Sequence, residues 1–162
     1  MGLATPPGPS FEEMLAQASG QVRPGGGAQL RATLRPLFQH PQAIADQARG
    51  HLLLAAVEAL GGRSEQQRAH LQAALSVAEE SDDLPLQVEA LLALAGLELA
   101  LGRVSNASAD VASARVLSAA PLPAALQARL ELTAAAVALA QRDPVEARNA
   151  IERCAAYART GR

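Results

Sequence analysis

The sequence repeats itself with a period of about forty residues, and this period limits the available folds more than any other feature. When the sequence is aligned with itself after a shift of forty residues, polar residues, large residues and small residues coincide over three successive units without a gap. A period of this length is typical of one supersecondary unit that stacks on copies of itself. The aligned sets are Gln47, Gln87 and Gln127; Leu52, Leu92 and Leu132; Ala55, Ala95 and Ala135; Leu71, Val111 and Ile151; and Ala74, Ala114 and Cys154.

The repeating unit is predicted to be a hairpin of two α-helices. Alanine (38 residues) and leucine (25 residues) dominate the 162-residue chain, and both are strong helix formers. Residues that favour strands are scarce, which argues against a β fold. Glycines, prolines and capping residues divide the chain into about eight helices with short connections, so that neighbouring helices run antiparallel. We therefore predict an all-α fold of stacked hairpins, an α-solenoid.

The predicted organisation is a single helical-repeat domain over residues 10–162, preceded by a disordered, proline-rich lead over residues 1–9. The first hairpin departs from the period, as expected for an end repeat that lacks one neighbour. The predicted units are a degenerate hairpin at residues 10–40 and repeats at about 41–82, 83–121 and 122–161.

Several helix ends are predicted from local signals. Ser64 with Gln67 is typical of a capping box, and Asp83 and Asp143 are predicted to cap the helices that follow them. Pro36 is expected to end or kink a short helix that begins at Ala28, because proline removes a backbone donor.

These features resemble the tetratricopeptide-repeat (TPR) superfamily over about residues 46–161. The similarity lies in the pair Leu54-Ala55, the turn Gly62-Arg63 and a small–large–small trio in the second helix, here Ala107, Val111 and Ala114. The period is longer than is usual for the superfamily and is more similar to the TPR-like repeats of large bacterial regulators of the MalT type. The resemblance implies that the first helix of each hairpin lines a concave groove.

The resemblance also implies which residues line that groove, and most of them are apolar. One interpretation is that the apolar strip receives a partner's helix or extended peptide. The other is that these central helices are buried on several sides by their own neighbours. A glycine at the centre of the groove fits either close approach of a ligand or tight helix packing. The groove residues are Arg49, Glu89 and Arg129; Leu52, Leu92 and Leu132; Ala56, Gly96 and Ala136; and Leu99 and Leu139.

The leading functional interpretation is a non-enzymatic interaction module or adaptor that binds an apolar, helical segment of a partner protein. One alternative is a module for homo-oligomerisation through the same surface. Another is a peptide or small-ligand sensor domain of a regulator. The sequence offers no catalytic constellation and no cofactor motif, so an enzyme is the least favoured class.

Composition and spacing argue against several other classes. All basic residues are arginines, and they are outnumbered by acids in a chain with almost no aromatics, so no nucleic-acid partner is expected. No apolar run is long enough for a membrane span, and a cytoplasmic, bacterial protein is expected. His40, His51 and His70 lack metal-ligand spacing and are interpreted as surface or loop-end residues. Cys154 is interpreted as a buried, inert thiol and Ile151 as a core residue.

Overall fold

A computed structural model describes residues 11–39 and 44–160, and these residues form α-helices joined by short turns, with no strand among them. The predicted all-α class and the number of helices are confirmed for this part of the chain. The predicted lead over residues 1–9 lies outside it. The helices are α1 (Phe11–Ser19), α2 (Gly27–Gln39), α3 (Ile44–Leu60), α4 (Ser64–Glu80), α5 (Leu84–Ala100), α6 (Val104–Leu117), α7 (Ala124–Ala140) and α8 (Pro144–Thr160).

The forty-residue period is visible in the backbone. The first helices of the three regular hairpins begin at residues 44, 84 and 124, and the second helices begin at 64, 104 and 144. Each hairpin turn has a residue of positive φ at the same position, namely Gly62, Gly102 and Arg142. The following amide N–H donates to the carbonyl five residues earlier in each turn, as a Schellman motif requires. The three hairpins therefore share one register.

The hairpins stack through their small residues. Ala74 and Ala114 on the second helices and Ala95 on a first helix are fully buried, and Ala55 is nearly so. Small side chains at these points allow the helix axes to approach closely. Consecutive helices pack on each other, and in addition α3 contacts α5 and α5 contacts α7, whereas the backbones of α4, α6 and α8 do not approach one another closely. The first helices thus form a contacting row along one side of the stack, which we call its inner side.

The helix ends agree with the sequence at some positions and not at others. Asp83 accepts a hydrogen bond from the Leu86 amide at 3.1 Å, and Asp143 accepts one from the Glu146 amide at 3.0 Å, which confirms both caps. The capping box at Ser64 is wrong, because Arg63 occupies the N-cap position and no side chain caps the helix. Helix α2 continues through Pro36 to Gln39, so the proline does not end it.

The degenerate hairpin, α1 and α2, packs against the start of the stack. Leu30 and Leu34 of α2 are fully buried and form one hydrophobic cluster with Leu54 and Val57 of α3. Among the described helices, none is long and apolar enough to cross a membrane.

Candidate functional site

Part of the predicted groove is assembled on the inner side of the stack. A cleft of about 210 Å³ is lined by Leu52, Ala56, Glu89 and Arg129, among others. A second cleft of about 270 Å³ is lined by Arg49, Leu52 and Glu89. The two clefts are neighbours that share Leu52 and Glu89 in their walls, and we call them together the inner groove. Its charged lining residues are Arg49, Glu89 and Arg129, which are the charged residues that the resemblance places in the groove, and Ser19 and Gln67 add polar groups.

A second part of the predicted groove is apolar and exposed, and it lies on α7. Leu132 and Leu139 are each 60% exposed, and Ala136 between them is also exposed. The spacing of these three residues places them on one face of the helix. We call Leu132, Ala136 and Leu139 the α7 stripe.

The equivalent face of α5 is largely covered. Leu92 is only 3% exposed and belongs to the hydrophobic cluster that joins α5, α6 and α7. Leu99 is partly buried and packs against the same cluster. These two leucines therefore belong to the protein's own core rather than to an open groove. Gly96 is exposed, and a Cβ built there meets no atom within 4 Å, so tight helix packing does not explain the glycine.

The last hairpin differs from the two before it in the burial of its large residues. Ile151 is 52% exposed, whereas the equivalent Val111 is 5% exposed, so the assignment of Ile151 to the core is wrong. Cys154 is half-buried rather than buried. The physical reason is that α8 packs closely on α7 alone among the described helices, whereas α6 lies between α5 and α7.

Two buried glutamates at equivalent positions connect helices to turns. Glu58 contacts Arg63 of its own turn and also Arg31 of α2, the latter at 2.9 Å. Glu98 contacts Arg103 of the next turn at 3.8 Å. The hydrogen bond from Arg63, assisted by Arg31, holds the pKa of Glu58 below its ordinary value despite the opposing effect of burial. Sequence analysis missed these pairs, although the repeated spacing from Glu to the Arg of the turn is a usable signal.

A four-residue ionic cluster fastens the last three helices together. Arg115 of α6 contacts Glu131 of α7 at 3.1 Å and Glu146 of α8 at 2.9 Å. Arg153 of α8 contacts the same two carboxylates at 2.9 and 2.8 Å. Hydrogen bonds from Arg115 and Arg153 lower the pKa of Glu146. Because the four charges satisfy one another, the cluster is structural.

A further cleft lies elsewhere, between α2, α3 and α4, and the sequence did not indicate it. Its volume is about 510 Å³. The Nδ1 atoms of His51 and His70 are 3.2 Å apart in its wall, and the Phe38 ring centroid is 4.7 Å from that of His51. Arg31 and Arg35 also line it. We call this the histidine cleft.

The histidines in this cleft are not the surface or loop-end residues that the sequence predicts. His51 and His70 are half-buried within helices, while His40 lies outside the described residues. Burial lowers the pKa of His51 to about 4, with a smaller contribution from His70. Burial likewise lowers the pKa of His70. Both rings are therefore neutral at pH 7.

Across residues 11–39 and 44–160, no three or more His, Cys, Asp or Glu side chains are grouped so as to hold a metal ion. Comparison with protein families, with curated proteins and with solved structures finds no match to this chain.

Proposed function

We propose that the chain is a non-enzymatic protein-interaction module with TPR-like repeats, which binds an apolar helical segment of a partner protein on the α7 stripe. The observation that carries the proposal is the contrast in exposure between equivalent leucines: Leu132 is 60% exposed, whereas Leu92 is 3% exposed. The α7 stripe is thus a helix-packing face that no described helix covers.

The kind of helix that would bind the α7 stripe is indicated by the helices that cover the equivalent face of α5. That cover includes α7, whose buried face is aliphatic and belongs to the same cluster as Leu92. Since the hairpins share one register, a helix with a similar face fits the α7 stripe. Burial of aliphatic surface contributes about 25 cal/mol per Å², before the cost of ordering the partner. The buried apolar residues of α7 are Leu126, Leu130, Ala134, Ala135, Val137 and Ala138, and the buried Glu131 belongs to the ionic cluster.

The inner groove supplies charges beside this apolar face. Arg129 lies on the same helix as the stripe and lines the groove together with Glu89. Charges at the margin of an interface fix orientation and select partners more than they raise affinity. We therefore expect charge reversal at Glu89 or Arg129 to change which helices bind, with a smaller effect on affinity.

The test uses a labelled peptide with the sequence of residues 124–140, the helix that covers the equivalent face of α5. Fluorescence anisotropy measures its affinity for the intact chain. Leu139→Asp is expected to weaken binding about tenfold or more, because it places a charge in an apolar contact. Val116→Asp is the matched control, since Val116 is an exposed aliphatic residue on α6, away from the stripe. It is expected to change affinity by less than about twofold.

Equal affinities for Leu139→Asp and the unchanged chain would contradict the proposal, as would equal losses in Leu139→Asp and Val116→Asp. The same stripe also favours a second candidate function, which is homo-oligomerisation. Sedimentation at several protein concentrations separates the two. If the α7 stripe binds a second copy of the chain, the measured mass of the unchanged chain rises with concentration. The Leu139→Asp variant then has the mass of a monomer at every concentration.

A further inference from the structure

The histidine cleft has the dimensions and lining of a site for a small molecule. Its volume of about 510 Å³ lies within the usual range of ligand sites. The lining combines apolar and aromatic surface with a few polar groups, which is the usual composition of such sites. None of these residues belongs to the α7 stripe or to the inner groove. The principal lining residues are Arg31, Arg35, Phe38, His51, Leu54 and His70.

The charge of the lining favours an anion. The two charged residues that line the cleft are both arginines. Arg31 is paired with the buried Glu58 at 2.9 Å, and Glu58 is already paired with Arg63. Arg35 makes no ion pair within residues 11–39 and 44–160, and its side chain is exposed at the rim. The cleft therefore has a guanidinium group that is available to a carboxylate, sulfonate or phosphate.

The rings of the cleft favour a flat, apolar body. Phe38, His51 and His70 lie in a row, with successive ring centroids 4.7 and 5.5 Å apart. Phe38 is partly exposed, although a large aromatic side chain gains free energy when it is covered. The contact between the two Nδ1 atoms requires one ring to donate and the other to accept, so one Nε2 carries a proton that it can donate to a ligand.

We infer that the histidine cleft binds a small organic anion with an aromatic body, whose acidic group is held by Arg35 and whose rings lie against Phe38 and the histidine pair. This site is separate from the proposed protein-binding function, and either can fail without the other. It gives the chain a second surface, at the opposite end of the stack from the α7 stripe.

The test uses two fluorescent probes that differ in one group. 8-Anilinonaphthalene-1-sulfonate carries a sulfonate, and N-phenyl-1-naphthylamine has the same rings without it. Arg35→Gln is expected to weaken sulfonate binding about fivefold or more, while affinity for the neutral probe changes less than about twofold. Phe38→Ala is expected to weaken both probes. Arg148→Gln, which changes an exposed arginine of α8, is the control and is expected to leave both affinities unchanged.

Histidine resonances in NMR spectra locate the bound probe directly, because the chain has only 3 histidines and single His→Gln variants assign them. Addition of the sulfonate probe is expected to shift the imidazole signals of His51 and His70. The inference is overturned if those signals stay in place, or if Arg35→Gln and Arg148→Gln affect the two probes alike. It is also overturned if Leu139→Asp abolishes binding while Phe38→Ala leaves it intact, since the probe then occupies the α7 stripe.

Discussion

Helices α5 and α7 occupy equivalent places in the repeat but have different surroundings. Leu92 of α5 is buried in a cluster that α7 completes, whereas Leu132 at the same position of α7 faces solvent. The second helices differ in the same way, since Val111 is buried and Ile151 is half exposed. Burial in a stack of repeats is therefore decided by whether a further hairpin covers the helix, and the residue alone does not decide it. Leu132 and Leu139 of α7 are exposed because no described helix covers them.

The largest predicted effect is the difference between the two leucines themselves. Leu92→Ala is expected to lower the free energy of unfolding by about 2–5 kcal/mol, because it leaves a cavity in the core. Leu132→Ala is expected to cost less than about 1 kcal/mol, because its side chain is mostly in solvent already. Chemical denaturation of both variants measures the difference. Equal losses would show that the two helices have the same surroundings in solution.

The second helices can be compared in the same way, by placing a larger side chain at equivalent positions of α6 and α8. Ala114 is fully buried, so Ala114→Leu is expected to destabilise the chain by about 1–3 kcal/mol. Cys154 occupies the equivalent position and is half-buried, so Cys154→Leu is expected to cost less than about 1 kcal/mol. Glu152→Gln, on an exposed position of α8, is a neutral reference within about 0.5 kcal/mol. If the Ala114 and Cys154 variants unfold at the same denaturant concentration, the shared register is incorrect.

A third comparison concerns one position of the second helix, which holds a titratable residue in two of the three regular hairpins. Ala150 is fully buried, and the equivalent residues are His70 and Asp110. Burial, aided by the nearby Glu98, raises the pKa of Asp110 from 3.8 to about 6. The folded state therefore binds more protons than the unfolded state between these values, and Asp110 lowers stability as the pH rises through that range.

Asp110→Asn is accordingly expected to be more stable than the unchanged chain at pH 8, by about 1 kcal/mol or less, because solvent screens this half-buried carboxylate. The gain should be much smaller near pH 4, where the carboxyl of Asp110 is protonated and neutral in the folded chain. His70 acts with the opposite sign, since its lowered pKa makes stability fall as the pH drops below about 6.5. Denaturation of the Asp110 variant across this pH range measures the effect. A gain that is the same at pH 4 and pH 8 would contradict the assigned cause.

A further small effect is predicted at the centre of the repeat. Gly96 stands where the neighbouring hairpins have Ala56 and Ala136, and its surroundings leave room for a Cβ. Gly96→Ala is therefore expected to raise the free energy of unfolding by about 0.5–1 kcal/mol, through helix propensity. Thermal denaturation measures the gain. A loss of stability would mean that a neighbouring helix approaches more closely than the structure shows.

The sequence predicted the features that repeat and missed those that depend on helix rotation. The alignment of Leu52, Leu92 and Leu132 was enough to predict the hairpins, because helix packing fixes a periodic pattern of large and small residues. The alignment could not show that one of these leucines is buried and another exposed, since that depends on the neighbours of each hairpin. The contact between His51 and His70 likewise depends on how α3 and α4 are rotated about their axes relative to each other. The apolar periodicity shows which broad face of each helix is buried, but it does not define that rotation closely enough to predict a side-chain contact.

The central claim is that the α7–α8 end of the stack is an open helix-packing face. The most direct test joins a second copy of residues 123–162 directly after Arg162, which continues the register by one more hairpin. The account predicts that this extended chain unfolds at higher denaturant concentration and that Leu132→Asp, which is tolerated in the original chain, becomes destabilising by about 2 kcal/mol or more. An extended chain with an unchanged unfolding midpoint, in which Leu132→Asp is still tolerated, would contradict the claim.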